Sequence, residues 1–249
     1  MRPLSGKRYW LVGASEGLGR ALAERMSRAG IALILSARSE ERLAELAASL
    51  PGPAQVVPMD VADRDSVRAA AATAAAEGAV DGLVILASVY WPQSAQDWDA
   101  EQVTAMLDVN LTGAARVLGA VVPGMVGRGA GHVVLTGSLS GYRGLPGAIG
   151  YGASKAGLMS LAESMAIDLQ GKGVDVQLVN PGFIRTRQTD KNDFTMPGIM
   201  EPEVAAGIIL DHMRSTRFRL SFPFAFSLVF RLGRLLPDWL WVRIWARRG

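Results

Sequence analysis

The segment LVGASEGLGR, residues 11–20, joins a short apolar run to an apparent helix through three glycines. Gly13, Gly17 and Gly19 have the spacing G-x3-G-x-G. Glycine permits a tight turn, lets the backbone approach a pyrophosphate and allows a helix to pack closely on a strand. An ordinary turn can have the same spacing, so the position between a strand and a helix is what favours a dinucleotide site.

Short apolar runs alternate with helical patterns along the rest of the chain. Buried strands are predicted at residues 9–12, 31–35, 55–57, 83–86, 132–136 and 174–179, and helices at 18–28, 39–50, 63–77, 100–126 and 150–170. This alternation predicts an α/β protein, a three-layer Rossmann-type fold with a doubly wound parallel sheet. We expect one domain over residues 1–217, followed by an aromatic and arginine-rich extension over residues 218–249.

Composition excludes several classes of site. The chain has 249 residues, of which 49% are hydrophobic and 20% charged, so it is globular in composition. It contains no cysteine, and its two histidines, His132 and His212, are far apart in sequence, so we expect no metal site. The N-terminus has no long apolar stretch typical of a cleavable signal, which favours a cytoplasmic protein.

The C-terminal segment is unlike the rest of the chain. Residues 214–249 hold eight arginines and one aspartate, a net charge of +7 within a total of +3, so the preceding residues carry −4. One interpretation is a segment in a membrane interface, with Trp239, Trp241 and Trp245 at headgroup level and Arg243, Arg247 and Arg248 facing anionic lipid.

A second interpretation is an arm buried in a homo-oligomer or folded over the substrate cleft, since interfaces also favour aromatic residues and arginine. It is slightly favoured because helix and strand periods are both weak after Pro223. Nucleic acid is a third interpretation, but no groove-reading motif accompanies the charge. We therefore expect a homo-oligomer that binds no nucleic acid, with peripheral membrane contact as the alternative.

The end of the second predicted strand bears on cofactor choice. A site for NAD often has an acidic residue here to bind the ribose 2′-hydroxyl, whereas this chain has Ala37 followed by Arg38. An arginine can bind a 2′-phosphate in a bidentate manner, which favours NADP(H) over NAD(H). Glu16 in the glycine-rich turn argues against a phosphate, and Arg38 can also be a solvated charge. Asp60, after the third strand, can cap a helix or bind adenine.

Tyr151 and Lys155 lie four residues apart in the segment YGASK, on one face of a predicted helix. A free phenol has a pKa near ~10 and exchanges its proton poorly at neutral pH. We expect the lysine ammonium to lower that pKa, so that Tyr151 exchanges a proton with a carbonyl or alcohol oxygen while hydride moves at the carbon. Ser138 can hydrogen-bond the same oxygen.

Five ordered motifs together identify the resemblance. The glycine-rich turn, DVNLTG around Asn110, TGSLSG around Ser138, YGASK, and NPGFIRT at residues 180–186 resemble the short-chain dehydrogenase/reductase family from residue 6 to about 190. The resemblance implies that Lys155 also binds the nicotinamide ribose and that Asn110 supports a water that relays protons. It implies that the residues after Pro181 and Gly182 contact the nicotinamide amide, with Thr186 near that amide or the phosphates.

The predicted site is therefore as follows. The catalytic residues are Asn110, Ser138, Tyr151 and Lys155. The cofactor-binding residues are Gly13, Ser15, Glu16, Gly17, Leu18, Gly19, Arg38, Asp60, Val61, Ala87, Tyr151, Lys155, Pro181, Gly182, Ile184 and Thr186. Taken singly, Tyr151 also fits a half-buried core aromatic, Ser138 a turn and Asn110 a local backbone contact.

Two departures from the family pattern stand in the cofactor region. Residues 85–88 read Ile-Leu-Ala-Ser where the family usually has Asn-Asn-Ala-Gly, and Val12 replaces a threonine. They leave open a degenerate nucleotide-binding sensor or scaffold that has lost turnover.

The segment 186–200 has no periodicity and ends in Met196, Pro197, Ile199 and Met200, which fits an apolar lid. We expect Trp91, Leu139, Tyr142 and Leu145 to join it. The sequence thus predicts hydride transfer between NADP(H) and a carbonyl or secondary alcohol of an apolar, lipid-like substrate. An alternative is a lipid-carbonyl reductase at a membrane.

Overall fold

The computed structural model describes residues 1–192 and 194–246. The strands are β1 (Arg8–Val12), β2 (Ala32–Ser36), β3 (Ala54–Val56), β4 (Gly82–Ile85), β5 (Gly131–Thr136), β6 (Val174–Pro181) and β7 (Arg219–Phe222). The α-helices are α1 (Gly17–Arg28), α2 (Glu40–Ser49), α3 (Arg64–Ala76), α4 (Ala100–Leu107), α5 (Ala114–Arg128), α6 (Ile149–Asp168), α7 (Pro202–Arg214), α8 (Phe224–Gly233) and α9 (Asp238–Trp245).

The seven strands form one parallel sheet in the order β3-β2-β1-β4-β5-β6-β7. The strand order reverses between β1 and β4, and the crevice outside the carboxyl ends of strands at such a point is where open α/β sheets bind ligands. The prediction of a doubly wound parallel sheet is confirmed.

The core lies on both faces of the sheet because successive side chains of a strand point to opposite faces. Trp10 and Val12 of β1 face a cluster built from α3, α5 and α6. Tyr9 and Leu11 of the same strand face a second cluster built from α1, α2 and α7. The strands are therefore apolar on both sides, as expected of a parallel sheet between two helical layers.

The predicted helix over residues 100–126 is interrupted. A π-helical turn, Asp108–Gly113, separates α4 from α5. No sequence signal marked this turn, and π-helical turns often lie at functional sites. The whole run of residues 100–128 is long and apolar enough to cross a membrane by composition alone, but Val117, Leu118 and Met125 belong to the core beneath the sheet.

The chain beyond residue 217 begins with β7, which pairs with β6 as the edge of the sheet. This strand was not predicted because it is four residues long and contains Arg219, which forms an ion pair with Glu163 on α6. The two helices α8 and α9 follow Pro223 and Pro237, although no clear period was expected there. Arg247 and Arg248 lie outside the described residues.

The two C-terminal helices pack against the same chain beside residues 142–148. Arg143 donates hydrogen bonds to the carbonyl oxygens of Gly233 and Leu236, and it forms an ion pair with Asp238. The Trp241 indole N–H donates to the Gly144 carbonyl oxygen at 2.8 Å. The C-terminal segment therefore folds over the rim of the cleft. This agrees with one of the two arrangements in the second interpretation, an arm folded over the substrate cleft.

Candidate functional site

A cavity of about 1470 Å³ opens at the carboxyl ends of the strands. All the predicted cofactor-binding residues line it, together with the predicted catalytic residues Ser138, Tyr151 and Lys155. Asn110 lies behind its wall, where Val109 is the lining neighbour. The fold thus brings residues from five separated motifs to one crevice.

The glycine-rich turn brings backbone against backbone. Gly13 has φ +94°, and a Cβ placed there would lie 2.5 Å from the Ala87 amide nitrogen. A Cβ at Gly19 would lie 1.9 Å from the Gly13 carbonyl oxygen. The amides of Leu86 and Ala87 both donate to the Val12 carbonyl oxygen, at 2.8 and 3.0 Å. The turn is therefore held open toward the cavity without any side chain at its narrowest points.

Residues 85–88, where the sequence departs from the family pattern, keep their main-chain connection to the neighbouring strand. The amides of Leu86 and Ala87 join β4 to β1 whatever side chains stand there. Below them, the Asn110 side chain binds both backbone groups of Val89.

Glu16 is neutralised by two arginines. Its carboxylate forms an ion pair with Arg42 of α2, and Arg187 donates to both of its oxygens at 3.0 and 3.1 Å. The two arginines therefore balance the charge of the Glu16 carboxylate, so that it does not repel a phosphate bound at this turn. Arg187 comes from the segment after β6, so the ion pair also bridges the mouth of the crevice.

Arg38 is exposed on the rim at the end of β2, in the same lining as Arg42. Arg42 was missed by sequence reasoning. Arg38 precedes α2 and Arg42 lies on its first turn, so only the fold shows that both line the same rim. The rim that would face the adenosine end of a dinucleotide thus carries two guanidinium groups.

Two more of the predicted cofactor-binding residues, Asp60 and Thr186, lie around the glycine-rich turn. Asp60 accepts a hydrogen bond from the Ala62 amide at 2.9 Å, while Asp63 caps α3. Asp60 is therefore a turn residue of the cavity wall and does not cap the helix.

The methyl group of Thr186 lies 2.9 Å from where a Cβ at Gly17 would stand. This glycine therefore makes room for the segment after β6.

Tyr151 and Lys155 lie on the first turns of α6 and face the same crevice. The Lys155 ammonium nitrogen lies 5.6 Å from the centroid of the Tyr151 ring. It donates to the Thr136 carbonyl oxygen at 2.9 Å, and the side chain is 2% exposed. A buried ammonium is thus fixed between the end of β5 and the phenol.

The expected lowering of the Tyr151 pKa is wrong for this structure. Burial raises the pKa of Tyr151 to about 12, and the hydroxyls of Ser138 and Ser88 act in the opposite direction. Burial also lowers the pKa of Lys155 to about 8. The physical reason is that the crevice disfavours charge on both groups. At neutral pH the phenol keeps its proton, which is the form that can protonate an oxygen.

Ser138 stands next to the phenol, at the turn that follows β5. Its hydroxyl lies 2.8 Å from the hydroxyl of Ser140 and accepts from the Ser140 amide at 3.2 Å. These contacts orient the serine side chain, and the hydroxyls of Ser138 and Tyr151 interact with each other in the wall of the cavity.

Asn110, in the π-helical turn, connects two other elements through its side-chain hydrogen bonds. Its amide nitrogen donates to the Val89 carbonyl oxygen and to the Ser154 hydroxyl, both at 3.0 Å, and its oxygen accepts from the Val89 amide at 2.7 Å. It ties the loop after β4 to α6. The water relay implied by the family resemblance stays a prediction.

The far half of the cavity is apolar and aromatic. Its lining includes Tyr90, Trp91, Leu139, Leu145, Phe183, Phe194, Phe226 and Phe230. Tyr90 stands edge-on to Tyr151, with ring centroids 5.0 Å apart. Phe226 and Phe230, two of the three phenylalanines of α8, were not predicted as site residues, because only tertiary packing carries them to the crevice.

Tyr142, predicted as a substrate wall, does not line this cavity. Its hydroxyl lies 2.7 Å from the Ser221 hydroxyl and accepts from the Asn180 amide at 3.2 Å. It therefore connects β6 and β7 behind the site. The predicted apolar lid residues Met196, Pro197, Ile199 and Met200 are also absent from the lining, and Phe194 is the apolar contact from that segment.

The segment after β6 is held down by polar contacts. Lys191 donates to the Tyr90 carbonyl oxygen at 2.7 Å, and its ammonium lies 4.6 Å from the Trp91 ring centroid. Gln188 donates to the Ser88 carbonyl oxygen at 2.6 Å. These contacts close the segment onto the loop after β4, over the phenol.

Comparison with known proteins gives matches over most of the chain. The family model described as short chain dehydrogenase matches residues 7–196. An uncharacterized oxidoreductase of Myxococcus xanthus is 36% identical over 245 residues, covering 96% of this chain and 96% of its own length. A short-chain dehydrogenase structure from Streptomyces avermitilis has a TM-score of 0.84 at 29% identity, covering 98% of this chain and 97% of its own. One from Sphingobium yanoikuyae in complex with NADPH has a TM-score of 0.83 at 26% identity, covering 91% of each chain.

We predict that Gly13→Ala lowers the free energy of unfolding by about 2–4 kcal/mol, because it adds a clash with Ala87 to an unfavourable φ. It should also abolish dinucleotide binding. Gly171→Ala is the matched control, since Gly171 has φ +74° with no atom within 4 Å of the added Cβ. The control should lose only about 1 kcal/mol. Urea unfolding and a dinucleotide titration measure both effects, and equal losses in the two variants would contradict the close-approach argument.

Proposed function

The chain belongs to the short-chain dehydrogenase/reductase family of NAD(P)-dependent oxidoreductases that act on CH–OH or C=O groups, and we propose that it uses NADP(H) to reduce the carbonyl of an apolar substrate. The single observation that carries the proposal is the convergence of the Tyr151 and Ser138 hydroxyls, beside the buried Lys155, between a glycine-rich turn and an aromatic pocket. The predicted family resemblance is confirmed.

The residues of the crevice fit a nicotinamide dinucleotide. The glycine cradle admits a pyrophosphate at the start of α1, where the free backbone N–H groups favour an anion. When bound there, the reduced nicotinamide supplies a hydride to the substrate carbon. Every other part of the reaction falls to side chains of the chain itself.

The side chains stabilise and protonate the developing alkoxide. Ser138 donates a hydrogen bond to the substrate oxygen, and Tyr151 gives it a proton as the carbon is reduced. The Lys155 ammonium then stabilises the phenolate that remains, across the 5.6 Å to the ring. At neutral pH the Tyr151 phenol is protonated, which is the form that carbonyl reduction requires.

Two arginines support NADP(H) over NAD(H). Arg38 and Arg42 line the rim at the end of β2, where Ala37 replaces the acidic residue that binds a ribose 2′-hydroxyl. The Sphingobium relative was solved with NADPH, which agrees with this choice.

The aromatic lining supports an apolar, lipid-like substrate. Phenylalanine, tyrosine and tryptophan side chains offer large apolar surfaces, and they surround the two hydroxyls on the side away from the glycine turn. A cytoplasmic location and assembly into a homo-oligomer stay predictions from the sequence.

We predict that Tyr151→Phe lowers kcat by roughly 10²–10⁴-fold, because it removes the proton donor while keeping the ring. The dissociation constant for NADPH should stay within about twofold. Tyr142→Phe is the matched control, a buried tyrosine outside the cavity, and should keep its turnover. Oxidation of NADPH over a panel of apolar ketones measures the difference, and wild-type turnover by Tyr151→Phe would end the assignment.

We predict that Arg38→Ala raises the KM for NADPH on the order of tenfold and leaves the KM for NADH unchanged, because it removes a charge-assisted contact to the 2′-phosphate. Arg42→Ala should weaken both cofactors, since it removes one of the two arginines that neutralise the Glu16 carboxylate beside the pyrophosphate site. Arg68→Ala, at an exposed arginine of α3, is the control. Equal effects of Arg38→Ala on both cofactors would argue against NADP(H) preference.

We predict that kcat/KM for carbonyl reduction is constant below about pH 8 and falls above it. Lys155 is charged below its pKa of about 8, and loss of that charge removes the stabilisation of the phenolate. In Lys155→Arg the guanidinium stays charged, so the lower activity of this variant should show no decline in that range. A wild-type profile that stays flat through pH 10, well above the pKa of Lys155, would contradict the role given to the ammonium.

A further inference from the structure

The outer side of α8 and α9, with the turn between them, forms an exposed apolar surface that we call the C-terminal face. Its members are Phe224, Val229, Leu232, Leu235, Trp239 and Val242, which are 68%, 52%, 57%, 80%, 66% and 62% exposed. Large apolar side chains this exposed on two consecutive short helices mark an interaction site more often than scattered surface residues do.

The arrangement follows from helix geometry. On α8, Ser227, Phe230 and Gly233 are buried against the chain, and residues on the other side of the helix point outward. On α9, Trp241 is buried while Trp239 and Val242 stand outside. Each helix therefore has one apolar side that packs and a second apolar side that does not.

The charged residues of the two helices and the turn are mostly basic. Arg231, Arg234 and Arg243 are exposed on the same two helices and the turn. Asp238 is the one acidic residue of segment 214–249, and it is paired with Arg143. Segment 214–249 carries +7 against −4 for the rest of the chain, so an anionic surface attracts this end and repels the other.

Charge also decides between occupants of the face. A symmetric contact with a second copy would place two basic segments against each other and leave their charges uncompensated. An anionic bilayer compensates them and accepts the apolar side chains into its interface. The ten residues of α8 extend only about 15 Å, half the hydrocarbon thickness, so the helix would lie in the interface and not cross it.

We propose that the C-terminal face docks on an anionic lipid bilayer. Trp239 and Leu235 enter the headgroup region, and Arg231 and Arg243 face lipid phosphates. The opposite side of α8 brings Phe226 and Phe230 to the cavity wall, so docking places the aromatic half of the site next to the membrane. Docking depends on the C-terminal face alone, whichever carbonyl compound the enzyme reduces.

The test is sedimentation of the full chain with vesicles of phosphatidylcholine alone and with vesicles that also contain phosphatidylglycerol. Truncation is avoided because β7 belongs to the sheet. We expect binding to the anionic vesicles only, weakened by added salt. Leu235→Ser/Trp239→Ser should lower the partition coefficient at least about tenfold. Arg231→Gln/Arg243→Gln should lower it roughly fivefold per arginine.

Matched controls come from exposed residues outside the face. Trp98→Ser/Ile167→Ser removes comparable apolar surface, and Arg28→Gln/Arg68→Gln removes comparable charge. Both should bind vesicles like wild type, and all variants should keep turnover on a water-soluble ketone. The proposal is overturned if anionic vesicles bind no protein at low salt, or if control and face variants lose binding equally. It is also overturned if the face variants keep lipid binding and instead dissociate an oligomer in light scattering.

Discussion

Gly13 has no room for a side chain, because its Cβ position lies 2.5 Å from the amide nitrogen of Ala87. This contact of one backbone with another joins β1 to the end of β4 at the point where the strand order reverses. The contact holds the glycine-rich turn against the sheet. Helix α1 therefore begins at the floor of the crevice, where space remains for a pyrophosphate. The loop after β4 continues from this contact. Asn110 of the π-helical turn binds Val89 of that loop and Ser154 at the start of α6, so all three elements are positioned relative to one another.

Electrostatics in the crevice depends on the same close packing. Glu16 would repel a phosphate if it stood alone, but Arg42 and Arg187 approach it from two different elements. Lys155 is buried and Tyr151 is half-buried in the wall of the crevice, and burial disfavours charge on each, so the tyrosine pKa rises and the lysine pKa falls. At neutral pH the phenol is therefore protonated and Lys155 keeps its positive charge, and negative charge develops on Tyr151 only as a substrate oxygen takes its proton. Tyr151 is thus the acid and Lys155 the stabilising cation, and no phenolate is needed before the reaction begins.

The C-terminal segment serves the site from one side and the surface from the other. Arg143, through the carbonyl oxygens of Gly233 and Leu236, fixes the turn between α8 and α9 to the rim. Phe226 and Phe230 thereby reach the cavity, while Leu235 and Trp239 stay outside. The same short helix pair therefore lines the cavity with one apolar side and exposes a second apolar side to solvent.

The sequence by itself determined the parallel α/β sheet, the glycine turn and the group of motifs in which Ser138, Tyr151 and Lys155 stand. These features are local: they depend on strand and helix periods and on glycine spacing, which neighbouring residues encode. Only the tertiary structure decided the partners of Glu16, the direction of the Tyr151 pKa, the place of Tyr142 behind the site and the entry of β7, Phe226 and Phe230 into sheet and cavity. Each of these depends on residues far apart in the chain, and burial and charge pairing arise only when folding brings such residues together.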